Sequence, residues 1–332
     1  MPIGPHRFEY EVIQGWERMP EDWSFVEVAG IAVDSRDRVY VFNRGEHPVI
    51  VFDKEGKFLN AWGEGVFTSP HGIFIDREDM IYLADDGDHT VRVYDTEGRM
   101  TMLLGNPGIA ADTGYQEGIS PVIYAGKPFN RVTNVAKGQN GDIYVADGYG
   151  NARVHRFSSD GTHLTSWGRP GAGPGEFNLP HGIAVDSSGR VYVCDRENSR
   201  VQIFTENGAY VGEWGWLNRP ADIFIDDQDL IHIAETGWSK PAGWKIHYNF
   251  MERPPCGHDP ISRVTICDPD GQVAALIGGS NPILPGNFCT PHGLWADSHG
   301  DLYVGEVIKR GGANAHFAPL TPHAFQKFKR SG

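Results

Sequence analysis

Long apolar runs are missing from this chain. No segment approaches the ~18 consecutive apolar residues of a membrane-spanning helix, and the opening MPIGPHRFEYEV has no basic stretch followed by an apolar one. Neither a membrane span nor a secretory leader is expected. A basic excess is missing too: 29 Lys and Arg stand against 43 Asp and Glu, a formal net charge of -14. A polyanion-binding surface needs clustered Lys and Arg, so a nucleic-acid partner is excluded. Cysteine is scarce. Cys194, Cys256, Cys267 and Cys289 include no C-x-x-C pair, which points to thiols in a reducing compartment and against a disulfide framework. The expectation is a soluble, cytoplasmic protein with no membrane partner.

What is plentiful is glycine, 42 residues, in a chain whose 40% hydrophobic and 22% charged content is ordinary for a globular protein. The glycines punctuate a repeat. Residues 182–215, GIAVDSSGRVYVCDRENSRVQIFTENGAYVGEWG, read as four short strands separated by polar turns. Equivalent text begins near residues 30, 72, 134, 222 and 293, making six copies. Four strands in a period of roughly 40 residues is the mark of a β-propeller. The last copy lacks its final strand, and the N-terminal FEYEVIQGW (8–16) has the look of a spare one. The expected fold is therefore all-β: a single six-bladed propeller over 1–332, its ring closed by the N-terminal strand completing the last blade. The repeats resemble those of NHL-type propellers. Insertions at 106–130, 237–260 and 307–323 break the plain repeat, and long loops at a propeller face usually build or cover a site.

Positions where the copies differ are candidates for chemistry. Just before each copy's opening strand stand Ala29, His71, Thr133, His181, Ala221 and His292. Histidine appears in every second blade, in the shared texts SPHGI, LPHGI and TPHGL. Blades of a six-fold ring are about 60° apart, so alternate blades are about 120° apart. Three imidazoles at equal height then aim at one point on the axis. Three imidazoles with an open face are the ligand set of a catalytic zinc ion, although other divalent transition metals suit imidazole as well.

After the second strand of each copy stand Arg44, Asp86, Gly148, Arg196, Thr236 and Val307. Arg44 and Arg196 belong to the first and fourth blades and so face each other across the channel. A guanidinium there either pairs with a nearby carboxylate, Asp195 or Glu197, or grips an anionic group of a small-molecule substrate. Beside Gly148 is Tyr149, either a rim filler or, near a dication and two arginines, a phenol poised to act as a base. The remaining histidines His247, His258, His316 and His323 have no ligand spacing and are expected on loop surface.

These residues together resemble the peptidyl-α-hydroxyglycine α-amidating lyases, six-bladed NHL-like propellers with zinc on the axis. The matching stretches are FNRGEH at Arg44, PHGI at His71 and His181, DGYGNAR at Tyr149, DRENSRVQ at Arg196 and PHGL at His292. The resemblance implies zinc on His71, His181 and His292, Tyr149 as catalytic phenol, and Arg44 and Arg196 as active-site cations. It implies a carbon–nitrogen lyase that splits an N-acyl carbinolamine into a primary amide and glyoxylate. Two departures stand out. The secreted animal enzymes have a cysteine after the catalytic tyrosine, where this chain has Gly150, and an acidic residue tied to calcium after the third metal histidine, where it has Gly293. Gly293 argues against calcium in that form. Asp34 and Asp186 are expected to form turns and not to ligate. A lactonase-like metal hydrolase and a non-catalytic interaction scaffold are the alternatives; lactonase propellers hold their metal through carboxylates and Asn, unlike an all-histidine axis.

Overall fold

The computed structural model describes residues 7–117, 121–237, 261–309 and 323–331. Among these, the repeats fold into six four-stranded antiparallel sheets. Blades 1 to 5 run outward in chain order, as in blade 2: Pro70–Ile75, Ile81–Asp85, Thr90–Tyr94 and Met100–Leu104. The other innermost strands are Val28–Val33, Val132–Lys137, Pro180–Val185, Pro220–Ile225 and Pro291–Ala296. They start two residues earlier than the repeat text suggests, so the histidine column lies inside the strand.

In five of the six blades, blade 3 with Gly138 excepted, the turn between the first two strands is built around one aspartate. Asp34 Oδ1 accepts from the Arg36 and Arg38 amides, and Asp186 Oδ1 from those of Ser188 and Arg190. Their second oxygens take the Tyr40 and Tyr192 hydroxyls. Both carboxylates are thus spent on the turn, as expected for Asp at this position.

The core is divided into six clusters, each lying between adjacent blades. Between blades 2 and 3, for example, Tyr82 and Val91 pack with Val145 and Phe157. Each blade buries its faces only against its neighbours, so no blade has a core of its own. The ring closes as expected: Glu9–Ile13 pairs antiparallel with Phe325–Ser331, forming the outer strand of blade 6.

Among the described residues no helix is long and apolar enough to cross a membrane. Cys194, Cys267 and Cys289 are free and buried. Cys256, the extra histidines His247, His258 and His316, and nearly all of the insertions 237–260 and 307–323 lie outside the described residues.

Candidate metal centre

Two local devices set up each histidine. The first is a β-bulge. In blades 2, 4 and 6 the pairing of inner and second strand slips between Pro70 and Ile73, between Pro180 and Ile183, and between Pro291 and Gly293. A bulge turns a side chain away from the regular alternation, here towards the axis. The proline ahead of each histidine opens the strand, where its missing N–H costs nothing. The second device is a buried carboxylate at the end of the second strand. Asp85 accepts the Thr68 and Ser69 amides at 2.7 and 2.8 Å. Asp195 takes the Asn178 amide at 2.7 Å, and Glu306 those of Cys289 and Thr290 at 2.6 and 2.9 Å. The loop entering each histidine strand is thereby pinned from within its own blade.

His71, His181 and His292 converge. They are buried, and each offers a ligand atom within 4.8 Å of the others. Their ring centroids are 4.7 to 4.8 Å apart. Every Nδ1 meets a backbone carbonyl of the next blade: His71 to Thr133 O at 2.6 Å, His181 to Ala221 O at 2.6 Å, His292 to Ala29 O at 2.8 Å. A carbonyl only accepts, so each Nδ1 carries the proton and each Nε2 keeps its lone pair. Burial holds His71 and His181 well below the usual imidazole range, reinforced at His71 by His292, Arg44 and Arg196 and at His181 by Arg196, His71 and His292. Burial, then Arg44, holds His292 at about 3. Three neutral imidazoles with inward lone pairs, each oriented by a second hydrogen bond, form a metal-capable donor set. The Nε2 of His292 is buried with no hydrogen-bond partner, the condition of a ligand atom in want of a cation.

Tyr149 stands over two of the rings. Its Oη lies 3.1 Å from His71 Nε2 and 3.2 Å from His181 Nε2. The Arg196 guanidinium stacks on the Tyr149 ring at 5.5 Å and donates to Oη at 3.4 Å. Arg196 also pairs with Glu197 at 2.9 Å, while Asp195 instead takes Arg200. Arg44 is held one step back, with Nε on Pro70 O at 2.9 Å and a terminal nitrogen 3.3 Å from Glu27. Both arginines nevertheless act electrostatically on His71 and His292.

Glycines beside the site serve close approach. Neither Gly148 nor Gly150 adopts a positive φ. A Cβ on Gly148 would lie 1.8 Å from Pro180 O, and one on Gly150 2.1 Å from Asn130 Oδ1. The cysteine of the animal enzymes therefore has no room at 150. A Cβ at Gly293 would lie 2.6 Å from Gly30 Cα, which leaves no space for an acidic side chain there.

The repeat text conceals one charged group. Arg219 clamps Glu197 from the far side of Arg196, at 2.7 Å. Burial alone would raise the Glu197 carboxyl, but Arg219 and Arg196 override it and bring it to about 2. The signal that reveals Arg219 is the column two residues ahead of the histidines, Glu27, Ser69, Arg131, Leu179, Arg219 and Thr290, charged in blades 1, 3 and 5 and uncharged in blades 2, 4 and 6. An axial cavity of about 940 Å³ opens at the other end of the inner strands, around Asp34, Asp76 and Asp297, and none of the three histidines lines it.

A six-bladed propeller with three convergent imidazoles on its axis defines a class, the metal-capable propellers. Within the chain, residues 177–204 match the NHL repeat and residues 20–102 the family described as 6-bladed beta-propeller. Human NHL repeat-containing protein 3 is 35% identical over 217 residues, covering 62% of this chain and 59% of that protein. Peptidyl-glycine alpha-amidating monooxygenase A of Xenopus laevis is 26% identical over 344 residues, covering 91% of this chain but 34% of that protein. A solved streptogramin B lyase shares the fold, with TM-score 0.57, 14% identity and 98% of each chain covered. The chain is an NHL-repeat six-bladed β-propeller related to the broad amidating-lyase/NHL family.

Proposed function

We propose that this propeller is a metal-dependent lyase that cleaves the N–C bond of an α-hydroxyglycine-type carbinolamide, R-CO-NH-CH(OH)-COO⁻, to a primary amide and glyoxylate. The reading is carried by the phenol oxygen of Tyr149 poised over the Nε2 atoms of two histidines and touched by Arg196. The Nε2 atoms of His71, His181 and His292 would hold zinc or a related divalent transition ion. When bound, such an ion acidifies a hydroxyl group brought to it.

The chain's own groups supply the rest. Tyr149 Oη, as the phenolate, takes the proton of the substrate hydroxyl. The C–O electron pair folds into the carbonyl of glyoxylate as the C–N bond breaks. The departing amide nitrogen takes that proton from Tyr149 Oη, so the phenolate is regenerated and atoms and charge balance. Arg196, fixed by Glu197 and Arg219, and Arg44, fixed by Glu27 and Pro70 O, grip the substrate carboxylate and align the scissile bond. Glu197, as an anion clamped between two guanidinium groups, keeps Arg196 from turning away.

The relation to amidating enzymes across 91% of the chain supports this chemistry over hydrolysis. The test is release of glyoxylate from N-benzoyl-α-hydroxyglycine by metal-loaded protein, followed by reduction with a nicotinamide-linked dehydrogenase. Stoichiometric metal with no glyoxylate above the uncatalysed rate overturns the lyase reading; absence of metal after loading overturns the metal centre itself.

A further inference from the structure

Directly behind the histidines lies a layer of inner-strand residues, one from each blade: Gly30, Gly72, Asn134, Gly182, Asp222 and Gly293. Four are glycine. The two that are not meet across the axis. Asn134 Nδ2 donates to Asp222 Oδ1 at 2.7 Å, joining blade 3 to blade 5 past the intervening blade. Asp222 Oδ2 accepts the Leu294 amide of blade 6 at 3.1 Å. Both side chains are otherwise tied to their own strands, Asn134 Oδ1 to the Val135 amide and Asp222 Oδ1 to that of Ile223. The two residues are largely buried, at the axial cavity.

The residues that precede this pair are the acceptors of the triad. Thr133 O receives His71 Nδ1 and Ala221 O receives His181 Nδ1. Leu294 is two residues after His292. One amide and one carboxylate thus join the strand that orients the first histidine, the strand that orients the second, and the strand that carries the third. The glycines after His71 and His181 make room for the tie. A Cβ on Gly72 would lie 2.5 Å from Asn134 Oδ1, and one on Gly182 2.7 Å from Asp222 Cα.

We infer that Asn134 and Asp222 are positioning residues: their hydrogen bond sets the mutual spacing of His71, His181 and His292 and so the affinity of the site for its metal. The inference rests on the reading of the three histidines as metal ligands. Outer partners that fix imidazole ligands typically account for about 10- to 100-fold in metal affinity.

The test uses the full chain with Zn²⁺ and Co²⁺, affinity read by competition with a chromophoric chelator and geometry by the Co²⁺ d–d spectrum. The variants are Asn134→Gly, Asp222→Gly, the double glycine variant, and the exchange N134D/D222N. Glycine already fills this position in four blades, so the backbone accepts it. Zn²⁺ affinity is expected to fall about 10- to 100-fold in Asn134→Gly, with a shifted Co²⁺ spectrum. The double variant should be no weaker than Asp222→Gly, because the pair acts as a unit. The exchange keeps an amide facing a carboxylate but gives up one acceptor for the Ile223 or Leu294 amide, so it should recover part of the affinity. Wild-type affinity and spectrum in Asn134→Gly overturn the inference. Should a glycine variant lose its folded near-ultraviolet signal, the exchange decides alone: recovered affinity sustains the inference and lost affinity overturns it. Wild-type protein that binds neither ion defeats the metal centre itself, a result distinct from either.

Discussion

At the scale of single residues, Tyr149 is the sharpest test of chemistry. Tyr149→Phe removes one oxygen and leaves the ring on which Arg196 stacks. Turnover should fall by about 100-fold or more, the range a proton-transfer group supplies, while metal content per chain stays at the wild-type value by elemental analysis. Loss of metal in the variant would make the phenol a structural member. Glu197 offers a second test, read through pH. Its carboxyl is ordinary in the unfolded chain and held at about 2 in the folded one by Arg219 and Arg196. A lowered folded value means that its stabilisation is full above the unfolded value and disappears as pH falls through the interval down to about 2. Glu197→Gln should therefore unfold at lower temperature than wild type at pH 7, and the gap should narrow at pH 3. A gap independent of pH would show that packing, not charge, is what Glu197 contributes. The histidine column was legible in the sequence because three copies carry it in one register and three do not. Asp222 was not, because a lone acid in a buried strand has meaning only through Asn134, 88 residues away in the chain.

At the scale of elements, the strands were legible and their irregularities were not. Inner strands are covered on both faces; the burial of Pro180–Val185 is nearly uniform. With no alternation between exposed and buried positions, a one-residue slip leaves no trace in the pattern. The bulge that turns each histidine inward is invisible for that reason, as is the carboxylate that pins the incoming loop. Asp85 makes the point testable, since its side chain also holds the amides of Gly87 and Asp88 at 3.1 Å. Asp85→Ala leaves four amides without this acceptor. Unsatisfied buried groups cost roughly 1–3 kcal/mol each, and relaxation and water offset part of the sum, so a loss of about 3 kcal/mol or more in urea unfolding is expected. Zn²⁺ affinity should fall with it, because the strand that carries His71 loses its anchor. Asp95 provides the control: it forms a comparable turn between outer strands of the same blade. Asp95→Ala should cost far less than Asp85→Ala and leave metal binding alone.

At the scale of the whole molecule, the ring has two kinds of seam. His71 of blade 2 reaches to Thr133 of blade 3, His181 of blade 4 to Ala221 of blade 5, and His292 of blade 6 to Ala29 of blade 1. Across the other three seams no metal histidine bonds a backbone carbonyl of the next blade. The seam between blades 6 and 1 is also where the chain ends meet. There Trp16 packs on Tyr303 at 5.2 Å and on Phe325 at 5.6 Å, with its ring 5.8 Å from Phe52. Closure by the first strand was readable from a last repeat that lacked its outer member, but the seam's link to the site follows only from the imidazole contacts. Large-to-small replacement of a buried aromatic costs about 3–5 kcal/mol wherever it occurs in a ring of similar seams. Trp16→Ala opens a seam on which His292 depends for its orientation. Phe204→Ala opens the seam between blades 3 and 4, where Phe204 packs with Ile183 and Val154 and no metal histidine takes its orienting carbonyl. Both variants should unfold more easily in denaturant. Only Trp16→Ala should also bind Zn²⁺ about tenfold or more weakly, because His292 loses the carbonyl that aims it. Zinc at about 100 times its dissociation constant stabilises a folded protein by about 2.7 kcal/mol, so at a fixed zinc concentration the increment should shrink in Trp16→Ala and persist in Phe204→Ala. Equal loss of affinity in both would mean that the ring transmits strain uniformly and that the alternation of seams has no bearing on the site.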